Sequence, residues 1–309
     1  MPGRIVEIAE DGHHLMVHRG FMVVKTGGEE LGRVALDDID AVIANAHGLT
    51  YSNNLLVALA ERGAGLVLCT ANHRPAAWLW PADGHHAQSA RMAAQLDATR
   101  PLAKRLWQIV VRAKIIQQAA VLRALGQPNS GFRLLARKVK SGDPENVEAQ
   151  AARRYWPLVM GDDFRRDPKS GGVNGLLNYA YTVLRAGTAR AVVAAGLHPS
   201  LGIHHHGPTN PMCLVDDLME PFRSVADLLV VRLLAEGVDE VTPEAKREIA
   251  SFLIMDMATA QGITPVGTCL QRLATSLAIA YQTGEAKLDL PLEPLPLDLA
   301  RSPAHAGTS

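Results

Sequence analysis

The chain is 309 residues long, enough for about two domains, and is 48% hydrophobic and 20% charged, with 31 Lys and Arg against 31 Asp and Glu. It has no run of about 18 apolar residues, which excludes a transmembrane helix, and its opening, MPGRIVEIAE, alternates and carries acids, which excludes a signal peptide. Three scattered cysteines, Cys69, Cys213 and Cys269, fit a reducing compartment, the cytoplasm, and argue against a disulfide framework or a cysteine-based zinc site.

Residues 1–81 read as a β domain, mostly antiparallel. Arg4–Ala9 alternates apolar and polar residues, and Leu15–His18, Phe21–Lys25, Val34–Leu36, Ile39–Ile43, Leu66–Cys69 and Ala77–Trp80 follow as short strands. Gly27-Gly28 is a turn signal. One helix interrupts the pattern, capped by Ser52 or Asn53, striped by Leu55, Leu56 and Leu59, and ended by Gly63. A sheet region with several apolar strands is suited to pairing with a second copy.

Residues 82–88 have the composition of a linker, and residues 89–284 read as a larger all-α domain. The fold class is therefore α+β. Met92, Leu96, Leu102, Leu106, Val110, Ile115 and Val121 recur at helical steps. The same region is strongly basic. Between Arg91 and Lys140, eleven Lys and Arg are opposed by Asp97 alone, a net +10 that the rest of a neutral chain must balance. A window this basic points to a polyanion, nucleic acid first, although a solvated helix surface would read the same way. Arg112, Lys114, Arg133, Arg137, Lys138 and Lys140, with Arg153 and Arg154 just beyond, are the candidate DNA contacts.

A second helix is expected over about Gly131–Lys140. Asp143-Pro144 is a helix-start signal for a helix running through Glu148 to Trp156. Glu148 shares a stripe with Ala152 and Tyr155, so it is half-buried and needs a partner. Arg153 and Arg154 could supply a plain ion pair. Helices follow at Asn174–Ala186 and on through Ala195, at Val225–Glu236, and over 244–258 and 267–282. Residues 285–309 form a proline-bearing tail, partly disordered past about Ala300.

The stretch HHHGPTNPMCLVDDLMEPFR, His204–Arg223, carries the densest chemistry. On a helix, Asp216, Glu220 and Asp217 lie at about 200°, 240° and 300° from Leu214, and Leu218, Phe222 and Val215 lie within about 100° of it. Pro221 ends or kinks this helix. Three uncompensated acids on one face repel each other, and a cation would relieve that. Carboxylates suit Mg²⁺ or Mn²⁺, and an added imidazole shifts the preference toward Mn²⁺. Adjacent histidines alternate sides, so His204, His205 and His206 cannot all serve one closed zinc site.

Four pieces together, GIHHHGPTNPMCLVDDLMEPFR, VEAQAARRYW (Val147–Trp156), VNGLLNYAYTVLR (Val173–Arg185) and SNNLLVALAERGAGLVLCTANHRPAAW, resemble the CRISPR-associated spacer-integrase family, the metal-dependent nuclease subunit of CRISPR adaptation, and most of all its type II branch. The matching pieces span about residues 45 to 230. The resemblance implies integration of short DNA into a repeat array by 3′-hydroxyl attack on a phosphodiester. It also implies Mg²⁺ or Mn²⁺ held by Glu148, His205 and Glu220, with Asp217 as an additional acid. It implies double-stranded DNA as substrate, a homodimer joined through the β domain, and a small CRISPR-associated partner bridging two dimers. On that basis Glu220→Ala should abolish strand transfer and leave the fold intact. The rival readings are a DNA-binding scaffold without catalysis and a zinc-dependent hydrolase built on the histidine loop.

Overall fold

The computed structural model describes residues 3–70, 75–292 and 294–300. Strands β1 (Arg4–Ile8), β2 (His14–His18), β3 (Phe21–Thr26), β4 (Glu29–Ala35), β5 (Ile39–Ala44) and β6 (Thr50–Tyr51) precede helix α1 (Asn53–Glu61), which is followed by β7 (Gly65–Cys69) and β8 (Pro75–Leu79). They form two four-stranded sheets, ordered β1-β5-β7-β8 and β4-β3-β2-β6. The helical remainder comprises α2 (Gln88–Leu96), α3 (Arg100–Ala124), α4 (Ser130–Lys138), α5 (Val147–Met160), α6 (Val173–Ala194), α7 (Cys213–Met219), α8 (Arg223–Ala235) and α9 (Pro243–Ala250). The hairpin β9 (Asp256–Thr259)–β10 (Gly262–Pro265), then α10 (Val266–Thr283) and the short α11 (Leu297–Ala300), complete it.

The chain is α+β, as expected, but its sheets are mixed rather than mostly antiparallel. The pairs β1–β5, β5–β7 and β2–β6 are parallel, and β2–β3, β3–β4 and β7–β8 are antiparallel. Local turns are legible in sequence: Gly27 and Gly28, with φ of 59° and 92°, close the two-residue β3–β4 hairpin. The partner of β1 lies beyond three intervening strands, and alternation within a strand does not reveal direction. Every residue of β5 is buried. Its Ala41 and Ile43 join the core shared with the helices, and Val42 and Ala44 join a second core with Leu15, Leu55 and Leu59. The two-residue period of a strand thus makes β5 the wall between the two cores.

Three helical expectations change. The region expected as two helices up to Ala195 is one continuous helix, α6. It keeps Gly187 because a Cβ there would sit 2.6 Å from Leu253 Cδ1, so α6 packs closely at that point. The segment expected as one helix over 244–258 divides into α9, a 3₁₀ turn at Ser251–Ile254 and β9, which pairs antiparallel with β10, so this part is not all helical. The helix expected to start at Asp143-Pro144 starts at Val147, because Asp143 and Asn146 have φ of 48° and 49°.

The sheets and helices are locked together. Arg190 pairs with Asp40 at 3.1 Å and Lys246 with Glu7 at 2.9 Å. Within the expected linker, a Cβ on Gly84 would lie 2.5 Å from Val193 O, so this connection is packed. Of the tail, Leu295 and Leu299 are buried and Gln117 Nε2 donates to Pro294 O at 3.2 Å, so the chain is anchored over 294–299; 293 and 301–309 lie outside the described residues. No helix among the described residues is long and apolar enough to cross a membrane.

Candidate active site

Glu148 is placed by a double cap. The Asp143 carboxylate accepts the backbone N–H of Val147 and of Glu148 at 2.9 and 3.0 Å, and Asn146 Oδ1 accepts that of Ala149 at 3.3 Å. These bonds satisfy the orphan donors of the first turn of α5 and turn Glu148 toward α3. There Lys114 Nζ donates to Glu148 Oε1 at 2.5 Å and lies 2.5 Å from Glu220 Oε2.

Glu220 owes its position to Pro221. The α-helix ends at Met219, and Glu220–Phe222 form a 3₁₀ turn in which the missing N–H of proline is tolerated. Glu220 is buried, and its Oε1 accepts from Arg223 Nη1 at 2.8 Å. Burial alone would raise its pKa, but Lys114 and Arg223 hold it down, at about 2. Burial likewise opposes charge on Lys114, but Glu220 and Glu148 together raise its pKa. Glu220 Oε2 meets the ammonium as an ion pair without an aligned hydrogen bond. Arg223 is itself held over the Tyr181 ring at 4.5 Å, and Tyr181 donates to the buried Asp227.

The histidine loop turns on Gly202, where a Cβ would lie 2.2 Å from His205 O and 2.9 Å from Asp217 Oδ2. Asp217 has no exposed surface; it accepts the His204 backbone N–H at 2.9 Å and faces His205 Nδ1 at 2.5 Å. A carboxylate only accepts, so Nδ1 carries a proton, and in the neutral form of the half-exposed ring Nε2 is the nitrogen with the free lone pair. The Asp217 hydrogen bond raises the His205 pKa against the opposing effect of burial, and the charges of Glu220 and Glu148 add to it. His204 lies flat on the buried Trp107, ring centroids 4.3 Å apart and planes 2° from parallel. Burial lowers its pKa. His205 meets the same indole edge-on at 5.6 Å.

Several sequence expectations need correction. Helix α7 is buried, not a surface helix, and its acids are not uncompensated. Asp216 accepts from Arg185 Nε at 2.8 Å and Nη2 at 2.9 Å, and Asp217 is engaged by the histidine loop. Both Asp217 oxygens are engaged by the histidine loop, where they orient His205. Lys114 does not lie on the basic surface with the other candidate DNA contacts: its side chain is 12% exposed and bridges two glutamates. Arg112 is exposed but donates to Val139 O at 2.9 Å, and Lys140 pairs with Glu145. Arg133, Arg137, Lys138, Arg153 and Arg154 are exposed, and Arg112, Arg133 and Arg137 line a groove between α3 and α4 with Ile116 and Ala136.

Among the described residues, no three His, Cys, Asp or Glu side chains form a ready-made metal group; an ammonium holds the two glutamates. The donors nevertheless suit a hard divalent ion. Two carboxylates meet at one cation, one of them has a buried oxygen without an aligned hydrogen bond, and the imidazole is held by a carboxylate from behind. The histidines do not converge as a zinc site would require. Sequence reasoning missed the roles of Lys114, Arg223, Trp107 and Gly202. Of these, only the i, i+3 spacing of Glu220 and Arg223 is a signal readable in advance.

Two mixed sheets are followed by helices that gather an acid pair and a carboxylate-held histidine, and solved proteins share this fold. A casposase bound to integration product shares it, with a TM-score of 0.78 over 93% of this chain and 92% of that one at 20% identity. A Cas6-RT-Cas1–Cas2 complex shares it with a TM-score of 0.71 over 93% of this chain and 36% of that one at 19% identity. The sequence matches the family described as CRISPR associated protein Cas1 over residues 6–248. It is 35% identical over 295 residues to the CRISPR-associated endonuclease Cas1 of Neisseria meningitidis serogroup C (strain 8013), covering 94% of this chain and 96% of that relative. The chain belongs to the Cas1 family.

Proposed function

We propose that this chain is the DNA endonuclease and integrase subunit of CRISPR adaptation, inserting short DNA into a repeat array. A DNA 3′-hydroxyl attacks a phosphodiester and one phosphoester replaces another, so no nucleotide hydrolysis is needed. What carries the reading, in a Cas1-family chain, is the meeting of Glu148 and Glu220 at one cation beside the Asp217-held His205.

Glu148, Glu220 and His205 would hold Mg²⁺ or Mn²⁺, which when bound supplies Lewis-acid stabilisation of phosphoryl charge. The chain's own groups do the rest. Asp217 keeps the proton on His205 Nδ1 and so presents Nε2 as a donor of electrons. Arg223 neutralises Glu220 from its other oxygen and keeps it from turning away. Trp107 and His204 wall one side of the site with flat, weakly hydrated surface. The exposed Arg133, Arg137, Lys138, Arg153 and Arg154 grip phosphates without reading bases.

A Cas6-RT-Cas1–Cas2 complex among the structural relatives supports a Cas2-like partner, and we propose that this small partner bridges two dimers of this chain. We place the protein in the cytoplasm as a homodimer paired through its sheets. Strand transfer on branched DNA with Mn²⁺, Mg²⁺, Zn²⁺ or EDTA tests the reading. Activity with Mn²⁺ or Mg²⁺ and none with EDTA is expected. EDTA-insensitive DNA binding without strand transfer would favour a scaffold.

A further inference from the structure

We infer that Lys114 is a resident counter-ion of the metal site: its ammonium holds Glu148 and Glu220 together in the metal-free protein, and a divalent cation binding there drives it out toward solvent. The inference rests on the proposed metal reading and concerns what that site contains before the ion arrives.

Geometry comes first. One ammonium lies 2.5 Å from Glu148 Oε1 and 2.5 Å from Glu220 Oε2, on the two carboxylates that would hold a metal. Both side chains are largely out of water, 22% and 5% exposed, so two bare carboxylates could not stay together there. Among the described residues Glu148 forms no other ion pair, whereas Glu220 also has Arg223 at 2.8 Å. Lys114 is what joins α5 to the turn after α7.

Charge balance decides what must move. Two glutamates are matched by Lys114 and Arg223, and the Asp217 carboxylate behind His205 adds a third negative charge. Adding a dication with both cations in place and His205 neutral would leave a net positive charge in a poorly solvated site. If Lys114 leaves, the site is neutral. Arg223 is not the group that moves: it is hydrogen-bonded to Glu220 and held over Tyr181 at 4.5 Å. Lys114 is a point charge on a flexible four-carbon stem, and its 12% exposure gives it a path outward.

The test uses the full-length protein and Mn²⁺ without DNA. Amine acetylation followed by peptide mass spectrometry should modify Lys114 several-fold faster when Mn²⁺ saturates the site, with the exposed Lys138 unchanged. Calorimetry should find Mn²⁺ bound at least about tenfold tighter by Lys114→Met than by wild type, since a buried like charge no longer opposes it. Metal-free Lys114→Met should unfold at a lower temperature, with a larger Mn²⁺-induced rise than wild type. Unchanged Lys114 acetylation under saturating Mn²⁺ overturns the inference, as does equal or weaker Mn²⁺ binding by a folded Lys114→Met; if that variant does not fold, the acetylation result on wild type decides. Mn²⁺ binding in wild type that Glu148→Gln does not weaken would instead bring down the metal reading itself.

Discussion

Asp217 Oδ1 lies 2.5 Å from His205 Nδ1, while Asp217 Oδ2 accepts the His204 backbone N–H at 2.9 Å. One fully buried carboxylate therefore sets both the path of the histidine loop and the tautomer of its central ring. Asp217→Asn preserves the shape but removes the charge. Strand transfer should fall about 10- to 100-fold, as for other groups that orient a ligating histidine.

The pH dependence has a defined sign. The Asp217 hydrogen bond raises the His205 pKa above its usual 6.5. The stability this gives is present in full below the unfolded pKa and is lost as pH rises through the raised folded value. Ligation by Nε2 needs the neutral ring, so activity should rise across that same upper span. In Asp217→Asn the rise should move to lower pH, read from a pH–rate profile and from the histidine ring resonances in NMR.

Glu220→Ala should abolish strand transfer and, given the ion pairs of this side chain, should also lower stability. Glu220 is buried between Lys114 and Arg223, and removing it leaves Arg223 without this carboxylate and Lys114 with Glu148 alone, which should cost about 3–5 kcal/mol. Glu220→Gln keeps the volume and is the better catalytic test; thermal unfolding of the two variants separates chemistry from folding. In wild type, Glu220 is held at about 2 against an ordinary 4.5. Its contribution is therefore present above pH 4.5 and lost as pH falls toward 2.

Gly202→Ala should inactivate the protein without unfolding it. The added Cβ would strike His205 O at 2.2 Å, and backbone cannot rotate away as a flexible side chain could. The loop must shift, taking His205 off Asp217. Near-native circular dichroism with strongly reduced strand transfer is the expected pair of results.

Gly187→Ala is the purely structural counterpart. Its Cβ would meet Leu253 Cδ1 at 2.6 Å and Cδ2 at 3.0 Å, and overpacking of this kind costs about 1–3 kcal/mol. Leu253→Ala on the same background should recover part of the loss, measured by denaturant unfolding.

Arg133→Ala and Arg137→Ala should weaken DNA binding equally across sequences. For every phosphate no longer neutralised, the slope of log affinity against log salt should become shallower by about 0.9. The effect should persist in EDTA, which separates the basic face from the metal site. Lys114 variants should not follow this pattern, because that side chain faces the glutamates.

Periodicity, caps and turns were written in the sequence. The long α3 and α10, the Gly27-Gly28 hairpin and the helix carrying Glu148 are all set by residues a few positions apart, through interactions that operate over one turn. Glu148, His205 and Glu220 were legible as candidates because donor chemistry depends on residue type, and their grouping came from the family resemblance. Tertiary structure alone decided strand direction in the sheets, since β1 meets β5 across three other strands. It also decided which cation meets which acid. Asp216 takes Arg185, Asp217 takes the histidine loop, and Lys114, read from its neighbours as part of a basic surface, turns inward to Glu148 and Glu220. A helix period says which face a charge is on, but whether that face meets water or two buried carboxylates depends on how α3 packs against α5 and the turn after α7.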